Sequence, residues 1–166
     1  KYDTSGQQLF FKGLELSEKT ETRVTTINGI ASGPTPSVYV TATKRNGGQK
    51  RSFIAKLSRR GELRWHRVAS KNTWLRSLSV IEKNAVGLVG FSEDESHDNP
   101  VSSLNGSSFI AVYGNGGSEK FRTSLPDRSL RLMTTEAAPD GTLYVGGSQG
   151  KDSKSNKRNG FLGRYQ

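Results

Sequence analysis

Phe53-Ile54-Ala55-Lys56-Leu57, Phe109-Ile110-Ala111-Val112-Tyr113 and Phe161-Leu162-Gly163-Arg164-Tyr165 are three versions of one stretch, and they decide the fold. Their phenylalanines stand 56 and 52 residues apart. Each has an aromatic, a small residue two places on and a large apolar residue two further. That alternation is the signature of a half-buried strand. Four residues past the last apolar position comes a glycine: Gly61 after Leu57 and Gly117 after Tyr113, with Gly6 after Tyr2 at the same spacing. The intervening residues read as hairpin turns ending on a glycine that can take positive φ. Four residues past each glycine comes another aromatic: Phe10, Trp65 and Phe121. Their shared register predicts one packing layer.

Working outward, a second strand class precedes the Phe-led strands: Val38 to Thr43, Gly87 to Ser92 and Leu143 to Ser148. Aligned from their first residues, these set Ser148 beside Thr43 and Ser92. Upstream lie shorter apolar stretches, Val24 to Ile30, Leu75 to Ile81 and Leu130 to Thr135, each separated from the next strand by turn-like residues. Each unit therefore holds four short strands, A, B, C and D, in a meander. A four-stranded unit of this period is how a β-propeller blade reads. The fold class expected is all-β: three four-stranded antiparallel units in one repeat domain over 1–166, at approximately 1–55, 56–111 and 112–166.

Asp140-Gly141-Thr142-Leu143-Tyr144-Val145-Gly146-Gly147-Ser148 followed by the strand at Phe161, and Ser52 to Leu57 running into Gly61 to Trp65, resemble bacterial β-propeller repeats of the SBBP type. In that family a Tyr-Val-x-Gly strand leads through a variable loop to a Phe-x-Ala-Lys-Leu strand, a glycine turn and a Trp-bearing strand. The chain departs from the pattern at Val112, where a basic residue is expected, and at Thr41-Ala42, where glycines fall. The resemblance implies a fold and no activity, because function is carried by sites grafted on folds.

The strands run in shifted order: the end of a C strand and a D strand near Lys1, then A-B-C-D twice, then A-B-C. Three blades are few for a ring, which has 4–8. The expectation is that two chains assemble into a six-bladed ring, or that further blades lie on other sequence. The early D strand is placed to complete the last blade.

Composition bounds the rest. Leu, Ile, Val and Phe make up about 22% of the 166 residues, near the range where a charged chain stays disordered, so order rests on the pattern. The absence of Cys excludes disulfides, thiolate nucleophiles and Cys-ligated zinc. The net charge of +10 favours polyanionic partners. No apolar run approaches the ~20 residues of a membrane-spanning helix. A start at Lys1 with no signal peptide reads as a processed or excised end. A secreted or cell-surface bacterial protein is the favoured setting.

Function is expected on the B-to-C loops, which share one face with the D-to-A connections. The loop at 44–51 carries Lys44, Arg45, Lys50 and Arg51, and that at 151–158 carries Lys151, Lys154, Lys157 and Arg158 against Asp152. These two form the candidate polyanion-binding set. The middle loop is acidic, with Glu93, Asp94, Glu95 and Asp98 around His97, and supplies weak calcium candidates without an EF-hand pattern. Trp74, with Asn72 and Arg128 in the D-to-A connections, is the candidate glycan platform. Nucleic acid is disfavoured, since no recognition motif appears and the aromatics occupy core positions.

Gly146-Gly147-Ser148-Gln149-Gly150 fits the nucleophile-elbow spacing, but no helical pattern follows and the repeat accounts for it. His66 has no apparent catalytic partner, and Gly114-Asn115-Gly116-Gly117 is a hairpin turn rather than a phosphate cradle. Asn105-Gly106-Ser107 is a sequon, meaningful only in a eukaryotic secretory setting. The expectation is a non-enzymatic binding module without cofactors, its ligand a glycan, a polyanionic surface polymer or a protein. The alternative is a fragment of a propeller enzyme whose catalytic groups lie in missing blades.

Overall fold

The computed structural model describes Ser5 and residues 24–33, 35–46, 49–70, 72–82, 85–93, 106–150 and 158–165. The expected D strand and turn around Gly6 and Phe10 lie outside the described residues, as do Lys151, Lys154 and Lys157. Eleven strands are described. The first sheet contains β1 (Val24–Ser32), β2 (Ser37–Asn46), β3 (Gln49–Ser58) and β4 (Leu63–Val68). The second contains β5 (Thr73–Val80), β6 (Val86–Glu93), β7 (Gly106–Tyr113) and β8 (Glu119–Ser124). The third contains β9 (Leu130–Ala137), β10 (Leu143–Gly150) and β11 (Arg158–Tyr165).

Each sheet is an antiparallel meander in chain order. The sheets stack through their first strands: β5 packs on β1, β2 and β3, and β9 packs on β5, β6 and β7. This is the arrangement of successive propeller blades. The blades run 24–68, 73–124 and 130–165, so the period counted from the Phe-led strands falls within β3 and β7 and is out of phase with the sheets.

The turns follow the sequence closely. Between β3 and β4, the Ser58 N–H donates to the Glu62 carbonyl at 2.8 Å and Gly61 N–H to the Ser58 carbonyl at 2.9 Å. The same two bonds recur at Gly114/Ser118 and Gly117/Gly114 between β7 and β8, and at Ala138/Thr142 and Gly141/Ala138 between β9 and β10. Gly61, Gly117 and Gly141 take φ of 79°, 81° and 84°, where a Cβ costs about 1–2 kcal/mol.

The first strand of every sheet bulges at an equivalent place, and β1 has a second irregularity between Val24 and Thr26. Ile27 and Gly29 pair with Ala42 and Thr41, leaving Asn28 extra; Arg76 and Met133 are the extra residues in β5 and β9. Opposite each bulge the second strand has a small residue: Ala42, Gly90 or Gly147. A Cβ on Gly147 would lie 2.0 Å from the Arg131 carbonyl oxygen, so the crossing backbone itself demands glycine.

Register also corrects one alignment. Phe53, Phe109 and Phe161 pair with Ala42, Gly90 and Gly147. The position equivalent to Thr43 and Ser148 is therefore Phe91, not Ser92; the middle blade is offset by one. The two glycines of Gly87-Leu88-Val89-Gly90 allow either alignment by pattern, and hydrogen-bonded pairing decides.

Two apolar layers join the sheets. Tyr39 and Ile54 of the first meet Leu75, Leu78, Leu88 and Phe109 of the second. Val89 and Ile110 on the second sheet's other face meet Leu132, Leu143 and Val145 of the third. Each such side chain taken from water contributes about 1.5–3 kcal/mol.

Candidate functional site

The loop expected at 44–51 is a hairpin. β2 and β3 continue in register through Lys44 opposite Arg51, Arg45 opposite Lys50 and Asn46 opposite Gln49, leaving residues 47 and 48 between them. Among the described residues β1 pairs no further than Lys44, and the β4 side reaches Ser52 through the Ala69 N–H. Among the described residues Arg45 with Lys50 and Asn46 with Gln49 pair with each other and with no third strand, and Arg51 is exposed. Two like-charge pairs lie directly across from each other, an arrangement that destabilises a bare ribbon.

The other basic candidate, Arg158, opens β11 rather than lying in a loop, and pairs with Gly150. Its companions Lys151, Lys154 and Lys157 fall outside the described residues. Of the acidic set, Glu93 ends β6 opposite Gly106, and Asp94, Glu95 and Asp98 lie outside the described residues. Among the described residues no group of three or more His, Cys, Asp or Glu is placed to hold a metal ion.

Trp74 belongs to strand β5 and not to a connection. It pairs with Phe91, its ring centroid 6.4 Å from that of Phe91, and is half-buried. Packing therefore uses much of the platform expected for a sugar. Asn72 beside it holds φ of 58°, and Arg128 is exposed in the β8–β9 connection. Asp127 in that connection accepts from the Ser129 N–H at 2.8 Å, the Ser129 hydroxyl at 2.6 Å and the Gln149 amide at 2.9 Å. The Ser129 hydroxyl and N–H hold its carboxyl below the usual carboxylate range. Asp127 thus ties the connection to the end of β10 beside the expected 151–158 loop.

Sequence reasoning missed a polar rim between the first two blades. Trp65 donates its indole N–H to the Asn115 carbonyl at 2.8 Å, Lys56 donates to the Asn115 side chain, and Arg67 reaches the Gly116 carbonyl at 3.4 Å. Lys56 also lies 5.2 Å from the Tyr39 ring centroid. The acceptors are mainly backbone carbonyls of a glycine turn, which leave no mark in sequence. Inside the second blade, Glu119 accepts from the Tyr113 hydroxyl at 2.7 Å and from Arg122 at 2.9 Å, while Arg122 stacks 4.3 Å from the Phe109 ring centroid. The Arg122 hydrogen bonds draw the Glu119 carboxyl below its ordinary range, and burial pushes the Tyr113 hydroxyl up. These groups brace β7 against β8.

The chain is thus an all-β assembly of propeller blades with a basic hairpin at one end of the first blade. No family model matches it, and no curated protein matches it. Among solved structures, it is similar to a Bacteroides caccae protein of unknown function at 9% identity and a TM-score of 0.48, over 79% of this chain and 43% of that one. A variant of Synechocystis apocarotenoid oxygenase matches at 9% identity and a TM-score of 0.48, over 80% of this chain and 33% of that one. An ACO/RPE65 chimera matches at 9% identity and 0.47, over 78% and 32%. The chain spans less than half the length of each.

Proposed function

We propose that the chain is a non-enzymatic binding module whose β2–β3 hairpin engages a polyanion, such as an acidic glycan or a charged surface polymer. The observation that carries this reading is the register of Lys44 against Arg51 and Arg45 against Lys50 in the hairpin. Register sets two basic residues opposite two others, and an anion along the ribbon would offset their like charge. The net charge of +10 adds a favourable long-range field. The blades supply a rigid mount, which lets a hairpin tip carry recognition. The SBBP-type motifs agree with a repeat scaffold that varies its connections.

The test is a titration with a sulfated polysaccharide at increasing salt. Binding weakens steeply with salt, and Lys50→Glu with Arg51→Glu lowers affinity at least about tenfold, from lost and reversed charge. Affinity unchanged by salt and by the double substitution would sink the proposal.

A further inference from the structure

An asparagine followed by glycine lets the main chain attack its own side chain, because no Cβ on the next residue shields the attacking nitrogen. The sequence holds five such pairs, beginning at Asn28, Asn46, Asn105, Asn115 and Asn159. Gly47 and Asn105 lie outside the described residues. The other three pairs stand in different settings. Asn28 fills the bulge of β1, and its amide nitrogen donates to the Thr43 hydroxyl and to the Leu75 carbonyl, each at 2.9 Å. Asn159 and Gly160 are exposed, but the β10–β11 ladder sets them opposite Gln149 and Ser148. Asn115 and Gly116 are the two central residues of the turn between β7 and β8, both exposed, with the Gly117 N–H bonded to the Gly114 carbonyl across them.

The Asn115 pair alone combines three features. Among the described residues neither the Asn115 amide nitrogen nor the Gly116 N–H has a hydrogen-bond partner, so the leaving group and the nucleophile are both unheld. Lys56 donates to Asn115 Oδ1. An ammonium at a carbonyl oxygen stabilises the negative charge that develops there under attack. The same two residues also carry the rim of the first seam. The Asn115 carbonyl accepts the Trp65 indole N–H at 2.8 Å and the Gly116 carbonyl accepts Arg67 at 3.4 Å. Gly117 beside them sits under the Trp65 ring, where a Cβ would lie 2.8 Å from it.

We infer that Asn115-Gly116 is a site of spontaneous deamidation and isoaspartate formation, and that the change unlocks the rim between the first and second blades. The Gly116 nitrogen attacks Asn115 Cγ, its proton passes to solvent, and the side-chain nitrogen leaves as ammonia, closing a succinimide. Water then opens the ring at either carbonyl. Opening at Cγ leaves an aspartate, whose carboxylate faces the Lys56 ammonium on an unchanged backbone. Opening at the main-chain carbon leaves isoaspartate. The backbone then runs through Cγ and is one carbon longer, and the carbonyl that held Trp65 becomes an arm of a free carboxylate. The added carbon moves Gly116 and Gly117 against an indole that already touches Gly117. This site is separate from the β2–β3 hairpin and does not rest on the binding reading.

Incubating the full chain at mildly alkaline pH, then digesting it and quantifying aspartate and isoaspartate peptides by mass spectrometry, tests the site. Asn115 converts at least about tenfold faster than Asn28 or Asn159, which must first open locally. Gly116→Ala places a Cβ in open space at a residue without positive φ, so the turn is kept while the nitrogen is shielded. It slows conversion at least about threefold, as does Lys56→Met, which removes the donor at Oδ1. Equal rates at the three asparagines, or an unchanged rate in either variant, overturn the site. Thermal unfolding of the isoaspartate fraction, separated by ion exchange, tests the unlocking, with Asn115→Asp as the control for charge alone. The isoaspartate chain melts earlier than wild type, while Asn115→Asp melts no earlier, because Lys56 gains an anionic partner. An isoaspartate chain that melts with wild type, or an Asn115→Asp chain that melts as early as it, overturns the unlocking.

Discussion

The two seams of the molecule are built differently. Between the first and second blades, an apolar layer around Tyr39, Ile54 and Phe109 is closed at the rim by Trp65 lying on the glycine turn at 114–117. Between the second and third, the apolar layer is smaller, and hydroxyls serve as fasteners at the inner strands. Ser77 Oγ accepts the Thr135 N–H at 3.3 Å, Ser79 Oγ accepts the Ala137 N–H at 2.8 Å, and Ser108 Oγ accepts the Leu132 N–H at 3.1 Å. Phe121, the counterpart of Trp65, has half its surface open. A blade thus holds its neighbour at two places, inner strand and outer turn, and the second seam has only the first of these among the described residues.

The largest expected difference comes from the equivalent phenylalanines. Phe109 is buried to 1% in the first seam, and Phe109→Ala should cost about 4 kcal/mol through lost transfer energy and the cavity left behind. Phe161 is only half-buried at the second seam, and Phe161→Ala should cost less than about 2 kcal/mol. Urea unfolding of both variants measures the gap. Equal losses would mean that the second seam is as tightly built as the first.

The glycine turns sharpen the comparison at the rim. Gly117 and Gly141 share nearly the same φ, 81° and 84°, but a Cβ on Gly117 meets the Trp65 ring, whereas one on Gly141 meets nothing nearer than 3.9 Å. Gly141→Ala therefore carries the backbone cost alone, about 1 kcal/mol. Gly117→Ala adds the displacement of the indole and should reach about 2–3 kcal/mol. Thermal unfolding of the pair separates the two contributions, and a Gly117 variant no worse than Gly141 would show that Trp65 does not lock the seam.

These contrasts also mark what sequence could reveal. The glycines at 61, 117 and 141 were legible because positive φ selects glycine, and the alternating strands because one residue in two is buried. The hairpin at 44–51 was not. Lys, Arg, Asn, Gly and Gln are poor strand formers with no buried face, so the run reads as a solvated loop; its pairing is inherited from Val38 to Thr43 lower in the same ribbon. Trp74 was read as a connection residue because the apolar stretch was counted from Leu75, while its pairing with Phe91 makes it part of β5. The Trp65 lock escaped because its acceptor is the backbone carbonyl of Asn115, which any residue supplies.

The smallest effect has the opposite sign. Thr41 and Val89 are equivalent by register, since they pair with Ile54 and Ile110, and both are fully buried. Thr41 Oγ1 has no hydrogen-bond partner among the described residues, and Gly29 packs so closely that a Cβ there would lie 3.0 Å from it. Val is nearly the same shape as Thr, so the substitution removes a desolvated hydroxyl without opening a cavity. Thr41→Val should stabilise the chain by about 1 kcal/mol, and Val89→Thr should cost about 1–2 kcal/mol by burying a hydroxyl in the apolar second seam. The urea midpoints decide it. A Thr41→Val chain that unfolds earlier than wild type would show that the hydroxyl is paired, adding to the Asn28 amide that donates to the Leu75 carbonyl across the first seam at 2.9 Å.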